Sequence, residues 1–283
     1  MAVIAEDDVT VGEQEFSKRS QSGPLAIITD VISGFQMQEV WRAFAWDETL
    51  ARYHRSFFGL AWIIISYLMF VGVIALFFGS FSSASSSEFL AYVALGYAAF
   101  VFLNGNVIDG CAVFTNSASW IKSTPLPYSV YVYKAISRSL TPFILELCVA
   151  FIIMVFIGWR PTLMALWVIP AFVAYLSFSL WAMYLLGLIA ARQRDIGLLL
   201  SSLSRLLFFT TPIMFTYETA RPVVKQITNF NPFTHYVKIL RDPLLFGTVP
   251  VDSWIFVIAL TIVGGVVLTV VGGMMRSRLP YWV

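Results

Sequence analysis

Six predominantly apolar runs, each close to the length that crosses a bilayer, recur along this chain. A hydrocarbon core of roughly 30 Å takes about 20 helical residues. The runs fall at about Phe57 to Gly79, Phe89 to Ile108 and Ser139 to Trp159, within Pro161 to Ala191, and at about Ile196 to Tyr217 and Ser253 to Met275. Lipid offers backbone groups no partner, so such segments must satisfy their own hydrogen bonds and fold as helices. The expected fold is therefore all-α, an integral membrane protein of six transmembrane helices. The composition agrees: 59% of the 283 residues are hydrophobic and 12% charged, whereas a soluble domain is about a quarter charged.

Lys and Arg favour the cytoplasmic side of short loops. Lys18, Arg19, Arg42, Arg52 and Arg55 precede span one, and Lys122, Lys134 and Arg138 lie between spans two and three. Arg192 and Arg194 lie between spans four and five, and Arg276 and Arg278 follow span six. Both termini are thus expected in the cytoplasm. The opposite side carries Arg160 and a stretch in which Glu218, Asp242 and Asp252 largely offset Arg221, Lys225, Lys238 and Arg241. Pro170 leaves the boundary of span four open.

Residues 1–24 read as an acidic disordered arm. Nine acids against three bases in the first fifty residues speak against nucleic-acid binding, and no secretory leader is expected from so polar a start. Residues 25–55 read as a cytoplasmic amphipathic interface helix, since Ile28, Val31, Ile32 and Phe35, then Met37, Val40, Trp41 and Phe44, recur at three- and four-residue steps. A helix on the membrane surface fits, and a helix packed on other protein is the alternative. Residues 56–283 form the six-helix domain, in which Ser80 to Ser87 reads as an external turn.

No Gly-Lys dipeptide occurs, so the phosphate-cradling Walker A loop is absent. There is no G-x-S-x-G elbow and no H-E-x-x-H, and His54 and His235 stand in different segments. The chain is not expected to be an enzyme, to bind a cofactor or to hold a metal. Cys111 and Cys148 have no metal or disulfide spacing and read as buried small hydrophobes.

Arg52-Tyr53-His54-Arg55-Ser56-Phe57-Phe58-Gly59-Leu60-Ala61-Trp62 resembles the motif that leads into the first span of ABC-2 type permeases, with Phe58 where Leu is usual. Its key positions here are Arg52, Arg55, Ser56, Gly59 and Trp62. Pro125-Leu126-Pro127 before Val130-Tyr131 is similar to the family's loop between spans two and three. Arg194-Asp195-Ile196, Thr211-Pro212-Ile213, Asn231-Pro232-Phe233, and Arg241-Asp242 with Gly247 follow, in order, the second-half pattern of the polysaccharide-exporting branch.

The resemblance covers Arg52 to the C-terminus. It implies a homodimer paired with two copies of a separate ATPase subunit, which would carry the ATP and Mg, moving a lipid-linked polysaccharide such as O-antigen or cell-wall glycan across the inner membrane. It also implies that the ATPase docks on the segment from Thr115 to Tyr128, with Trp120, Lys122, Pro125 and Pro127 as coupling residues, and on the helix before span one. ATPase motion would then shift spans one and five against their dimer mates. Membrane lipids are the other expected contact, and nucleic acid is not.

Ionisable groups in the bilayer are costly, by about 2.5 kcal/mol or more, and call for a partner or a wet path. Glu146 lies eight residues past Arg138 and Arg205 nine past Ile196, which places both roughly 12 to 14 Å deep at 1.5 Å per residue. Equal depth suggests an intramembrane charge pair, within one chain or across the dimer; Arg205 snorkelling outward beside a protonated Glu146 is the alternative. Arg205 meeting a lipid pyrophosphate is a further reading. Rings could line a sugar conduit by offering faces to sugar C–H groups: Tyr67, Phe70, Phe100, Phe102, Phe208, Phe209 and Phe215. The alternative is that such rings face lipid or the membrane interface.

Four prolines divide Tyr217 to Ser253 into pieces too short to span. Phe233, Tyr236, Val237, Leu240 and Leu244 share one helical face, with Lys238 and Arg241 left wet or paired with Asp242. Short re-entrant helices between spans five and six, closing the outer mouth, are expected; an ordinary loop packed on its own spans is the alternative. For the whole chain, an ABC-2 exporter of a drug or small lipid remains the alternative function. An ion-coupled transporter or a membrane transferase fits less well, because spans, repeats and clustered acids are too few.

Overall fold

The computed structural model describes residues 23–53, 58–79, 86–217 and 220–283. Most of the acidic arm, Arg55 and Ser56 of the motif before span one, and most of the Ser-rich turn lie outside the described residues. In chain order the helices are α1 (Pro24–Gln36), α2 (Gln38–Tyr53), α3 (Ala61–Phe78), α4 (Ser86–Ala112), α5 (Ala118–Ser123), α6 (Tyr128–Phe156), α7 (Val168–Arg192), α8 (Asp195–Thr210), α9 (Pro222–Phe230), α10 (Pro232–Leu245) and α11 (Val251–Val267). A 3₁₀ turn, Leu163–Trp167, leads into α7, and a π turn with shorter helical turns carries α11 on to Trp282.

The chain is all-α, as expected. Among the described residues five helices are long and apolar enough to cross a membrane: α3, α4, α6, α7 with its 3₁₀ turn, and α11 with its continuation. The expected fifth span begins where predicted and stops early. α8 has 16 residues, about 24 Å at 1.5 Å per residue, and ends seven residues before Tyr217. Pro212 is the cause, because it disfavours helical backbone at the residue before it, and Thr211 is extended at φ −84°, ψ 133°. Pro170 sits in the first turn of α7, where a missing N–H is tolerated.

α4 is the axis of the bundle. In its most apolar stretch 67% of residues are buried, against 22 to 28% in the other four spans, and α3, α6, α7, α8 and α10 pack around it. Lipid tails are as apolar as Leu, so association rests on close packing and hydrogen bonds rather than on water exclusion. Ala91, Ala94, Ala98 and Ala99 are buried at small cost in space, and a Cβ on Gly110 would stand 2.8 Å from the Met183 Cα of α7. Polar ties fix the register: Asn106 Nδ2 donates to Ser179 Oγ at 2.7 Å, and the Tyr67 hydroxyl donates to the Ala94 carbonyl at 2.8 Å. Large apolar side chains on the perimeter, such as Leu76, Phe77, Phe156 and Ile262, stay exposed.

The described residues of the 25–55 segment form two helices rather than one. Pro24 opens α1 and the chain breaks at Met37, after which α2 begins. Both pack on α6. The buried face of α1 is Ala26, Ile27, Asp30 and Gly34, while Ile28, Ile32 and Phe35 of the apolar stripe point away from the protein. Small residues face α6 because the approach is tight, and a Cβ on Gly34 would collide with Ser129 Oγ. Cys111 is buried as expected, whereas Cys148 is exposed on the perimeter of α6.

Candidate functional site

The segment from Thr115 to Tyr128 turns the chain between α4 and α6. Ser117 closes the first part, α5 follows, and Thr124 to Pro127 run extended into α6. Trp120 is half exposed, its ring 5.1 Å from Phe44 of α2, and Lys122 is exposed. Pro125 is half-buried and Pro127 buried. Pro127 is the N-cap residue of α6, at φ −53° and ψ 139°. The two prolines therefore shape the turn, and the accessible chemistry comes from Trp120 and Lys122.

Asp30 holds this turn to the rest of the molecule. Its carboxylate accepts from the Tyr128 N–H at 3.1 Å and the Ser129 N–H at 2.8 Å, so an acid from α1 caps the first turn of α6, where unpaired amides and the helix dipole favour negative charge. The Tyr184 hydroxyl of α7 donates to it at 3.1 Å, and Arg276 Nη2, beyond α11, at 2.7 Å. Ser129 Oγ donates back to the Asp30 carbonyl at 2.6 Å. Asp30 and Arg276 are each 3% exposed, so four segments meet on one desolvated carboxylate. Sequence reasoning counted Asp30 only among the nine acids of the first fifty residues and Arg276 only as a loop cation. The available signal was an acid on the same helical face as Ala26, Ile27 and Gly34.

Next to this hub, Glu48 of α2 pairs with Lys134 at 3.3 Å and with Arg138, and Arg138 reaches Asp109 of α4 at 2.8 Å. Burial works against the Glu48 charge, but the two neighbouring cations prevail and hold its carboxyl below the ordinary value. Beyond this network lies a cavity of about 150 Å³ between α2, α4 and α6. Arg52, Asp109 and Arg138 line it, together with Pro142 and Glu146.

Glu146 is 7% exposed and makes no ion pair among the described residues. Arg205 is exposed on α8, so the expected charge pair does not form within one chain. The two helices present these groups to different neighbours: α8 packs on α4 and α7, while Glu146 faces the α2 side. Before span one, Arg52 is exposed, Gly59 adopts φ +52° as a turn requires, and Trp62 is half exposed and stacked on Phe58 at 5.9 Å.

The seven rings separate. Phe70 stacks on Tyr97 at 4.2 Å, and Phe208 meets Phe70, Phe100 and Phe209 at 6.0, 5.3 and 5.6 Å, so most of the set is one cluster where α3, α4 and α8 meet. Tyr67 at 2%, Phe100 at 4% and Phe102 at 4% exposure are buried inside the chain. They act as packing rather than as conduit walls; Phe102 stacks on Phe143 at 4.3 Å, away from the cluster. Phe70 and Phe208 are half-buried and Phe209 is exposed, which leaves them free edges. Phe215 is half-buried, and its carbonyl accepts from the Tyr92 hydroxyl at 3.2 Å.

At the end opposite the basic loops, α9 and α10 replace a simple loop. Asn231 controls both: its Oδ1 accepts from the Phe233 N–H at 3.0 Å, capping α10. Its Nδ2 donates to Thr210 Oγ1, Thr211 Oγ1 and the Leu207 carbonyl at 2.9, 2.8 and 3.2 Å, closing the frayed end of α8. α10 is buried nearly all round, and Arg241, expected to stay wet or paired, is 2% exposed. It donates to the Pro212 carbonyl at 2.7 Å, lies 3.5 Å from Asp242 and sits 3.7 Å over the Tyr92 ring. Among the described residues no cluster of three or more His, Cys, Asp or Glu could hold a metal.

Residues 39–245, from α2 to the end of α10, match the family described as ABC-2 type transporter. The chain belongs to the ABC-2 type transporter family. Relatives include the O-antigen export system permease protein RfbA of Klebsiella pneumoniae, 22% identical over 231 residues, which cover 81% of this chain and 88% of the relative. The protein of the same name from Myxococcus xanthus is 23% identical over 172 residues, 61% of this chain and 66% of the relative. In this ABC-2 chain Asp30 and Arg276 both lie outside the matched region, one on each side, and their contact fastens the two flanking segments to it.

Proposed function

We propose that this chain is the permease subunit of an ATP-driven exporter that moves a lipid-linked polysaccharide, O-antigen or a cell-wall glycan, across the cytoplasmic membrane. The observation that carries this reading is the likeness to O-antigen export permeases over 88% of a relative's length, on a chain whose own sequence lacks a nucleotide-binding loop. Two copies pair with two copies of a separate ATPase subunit, which holds ATP and Mg, and the basic end and both termini face the cytoplasm. The exposed Trp120 and Lys122 are the ATPase contact, α1 rests on the membrane surface through Ile28, Ile32 and Phe35, and Arg205 is free to meet Glu146 or a lipid pyrophosphate across the dimer. Phe70, Phe208 and Phe209 line the path.

Asp30 gives that contact a route inward. A push on α5 is delivered to the start of α6, and the same carboxylate passes it to α1, α7 and the last span. Purifying the chain from its native membrane tests the reading: a small ATPase should accompany it, and the chain alone should bind no ATP. Export of a drug or small lipid is the competing function; unaltered surface glycan together with drug hypersensitivity in a deletion strain would favour it.

A further inference from the structure

A roomy cavity lies at the end away from the basic loops. It measures about 930 Å³ and is walled by the start of α4, the turn after α6, the segment after α8 and the second half of α10. That is within the roughly 300–1,000 Å³ of small-ligand sites and gives room for a few sugar rings. Two planar side chains are fixed in its wall. Trp159 Nε1 donates to the Leu244 carbonyl at 2.6 Å, and the Tyr217 ring lies 3.9 Å from the Lys238 ammonium. Rings fixed in advance lose little freedom on binding.

Around these rings the lining is mixed, with Phe89, Ile157, Leu245 and Phe246 beside the polar Glu88, Thr216 and Asp242. Thr162 and Thr248 bring hydroxyls, and Arg160 brings a guanidinium that makes no ion pair among the described residues. Gly247, at φ +61°, turns the chain so closely that its Cβ position is 3.4 Å from Thr162 Oγ1. Arg241 is spent on the back wall, held by the Pro212 carbonyl and the Tyr92 ring. A lipid tail gains nothing from dispersed donors and cations, whereas a sugar needs flat apolar faces for its C–H groups and donors for its hydroxyls.

We propose that this cavity is a saccharide-binding site, occupied by a short stretch of the exported polysaccharide on the outer side of the membrane. The proposal rests on the exporter reading above. It makes the α9–α10 segment a receiving site as well as a closure, and it places Trp159, Tyr217, Arg160 and Lys238 against the sugar.

The test uses the full chain in cells, with Cys111 and Cys148 replaced by Ser. Thr162→Cys and Thr248→Cys report from two walls, and Val223→Cys on α9 reports from outside the cavity. Labelling by a membrane-impermeant maleimide is compared between cells making the polysaccharide and cells blocked in the first sugar transfer onto the lipid carrier. The two cavity positions should label about threefold more slowly when glycan is made, as mass action gives for a site occupied about two-thirds of the time, with Val223→Cys unchanged. Equal labelling in both strains, or an equal drop at all three positions, overturns the site. Glycan export is measured alongside in a strain lacking the chain, so failure of the site is distinguishable from failure of the exporter reading, in which export would not depend on the chain.

Discussion

Asp30 and Arg276, 246 residues apart, form an ion pair of 2.7 Å in which both side chains are buried. Removing one partner from such a pair leaves an uncompensated charge and costs about 3–5 kcal/mol, while replacing both by apolar groups is often neutral. Asp30→Ala should therefore lower the thermal stability of the purified protein markedly, and Asp30→Ala with Arg276→Met should recover part of the loss. The recovery stays partial because the amides of Tyr128 and Ser129 also lose their cap. Melting of the two variants beside the unaltered protein in detergent checks both statements.

Lys122→Glu should leave folding intact, since an exposed substitution is usually worth within about 0.5 kcal/mol. It should weaken ATPase coupling. Substrate-dependent ATPase activity of the reconstituted complex should fall while the melting temperature stays in place; an unchanged activity would remove Lys122 from the contact.

How much of this was readable in the sequence depends on what each residue answers to. The apolar runs reported α3, α4, α6, α7 and α11, because lipid enforces helix wherever such a run occurs. The early end of α8 was written in Thr211-Pro212, yet the apolar residues that follow masked it. The apolar stripe of α1 was legible in Ile28, Ile32 and Phe35, which stay outside the protein; its docked face was not, because close docking on Ser129 selects Ala26, Asp30 and Gly34. Asp30 and Arg276 could not be paired from sequence, since nothing local brings position 30 near position 276. Tyr67, Phe100 and Phe102 were indistinguishable by residue type from Phe70, Phe208 and Phe209, and only the packing around α4 separates buried rings from available ones.

Asn231→Ala should loosen the far end of the molecule. It removes an N-cap, worth about 0.5–2 kcal/mol, and takes the amide donor away from Thr210 Oγ1, Thr211 Oγ1 and the Leu207 carbonyl. Hydrogen exchange should accelerate in the last turn of α8 and the first of α10, with α1 and α2 unaffected.

Glu48 sets a pH dependence at the opposite end. Its carboxyl is depressed below the ordinary value of 4.5, so its contribution is present above that value and is lost as pH falls through the lower folded value. Stability should decline in that acidic window, and Glu48→Gln should flatten this part of the profile. An identical acid profile in the variant would show that Lys134 and Arg138 do not hold the charge.

The surface-glycan profile of a strain lacking this chain tests the central claim most directly. Loss of the long surface polysaccharide, with lipid-linked glycan accumulating inside the cell and restoration by the intact gene, is the predicted result. A strain without the chain that still displays a full-length surface glycan would contradict it.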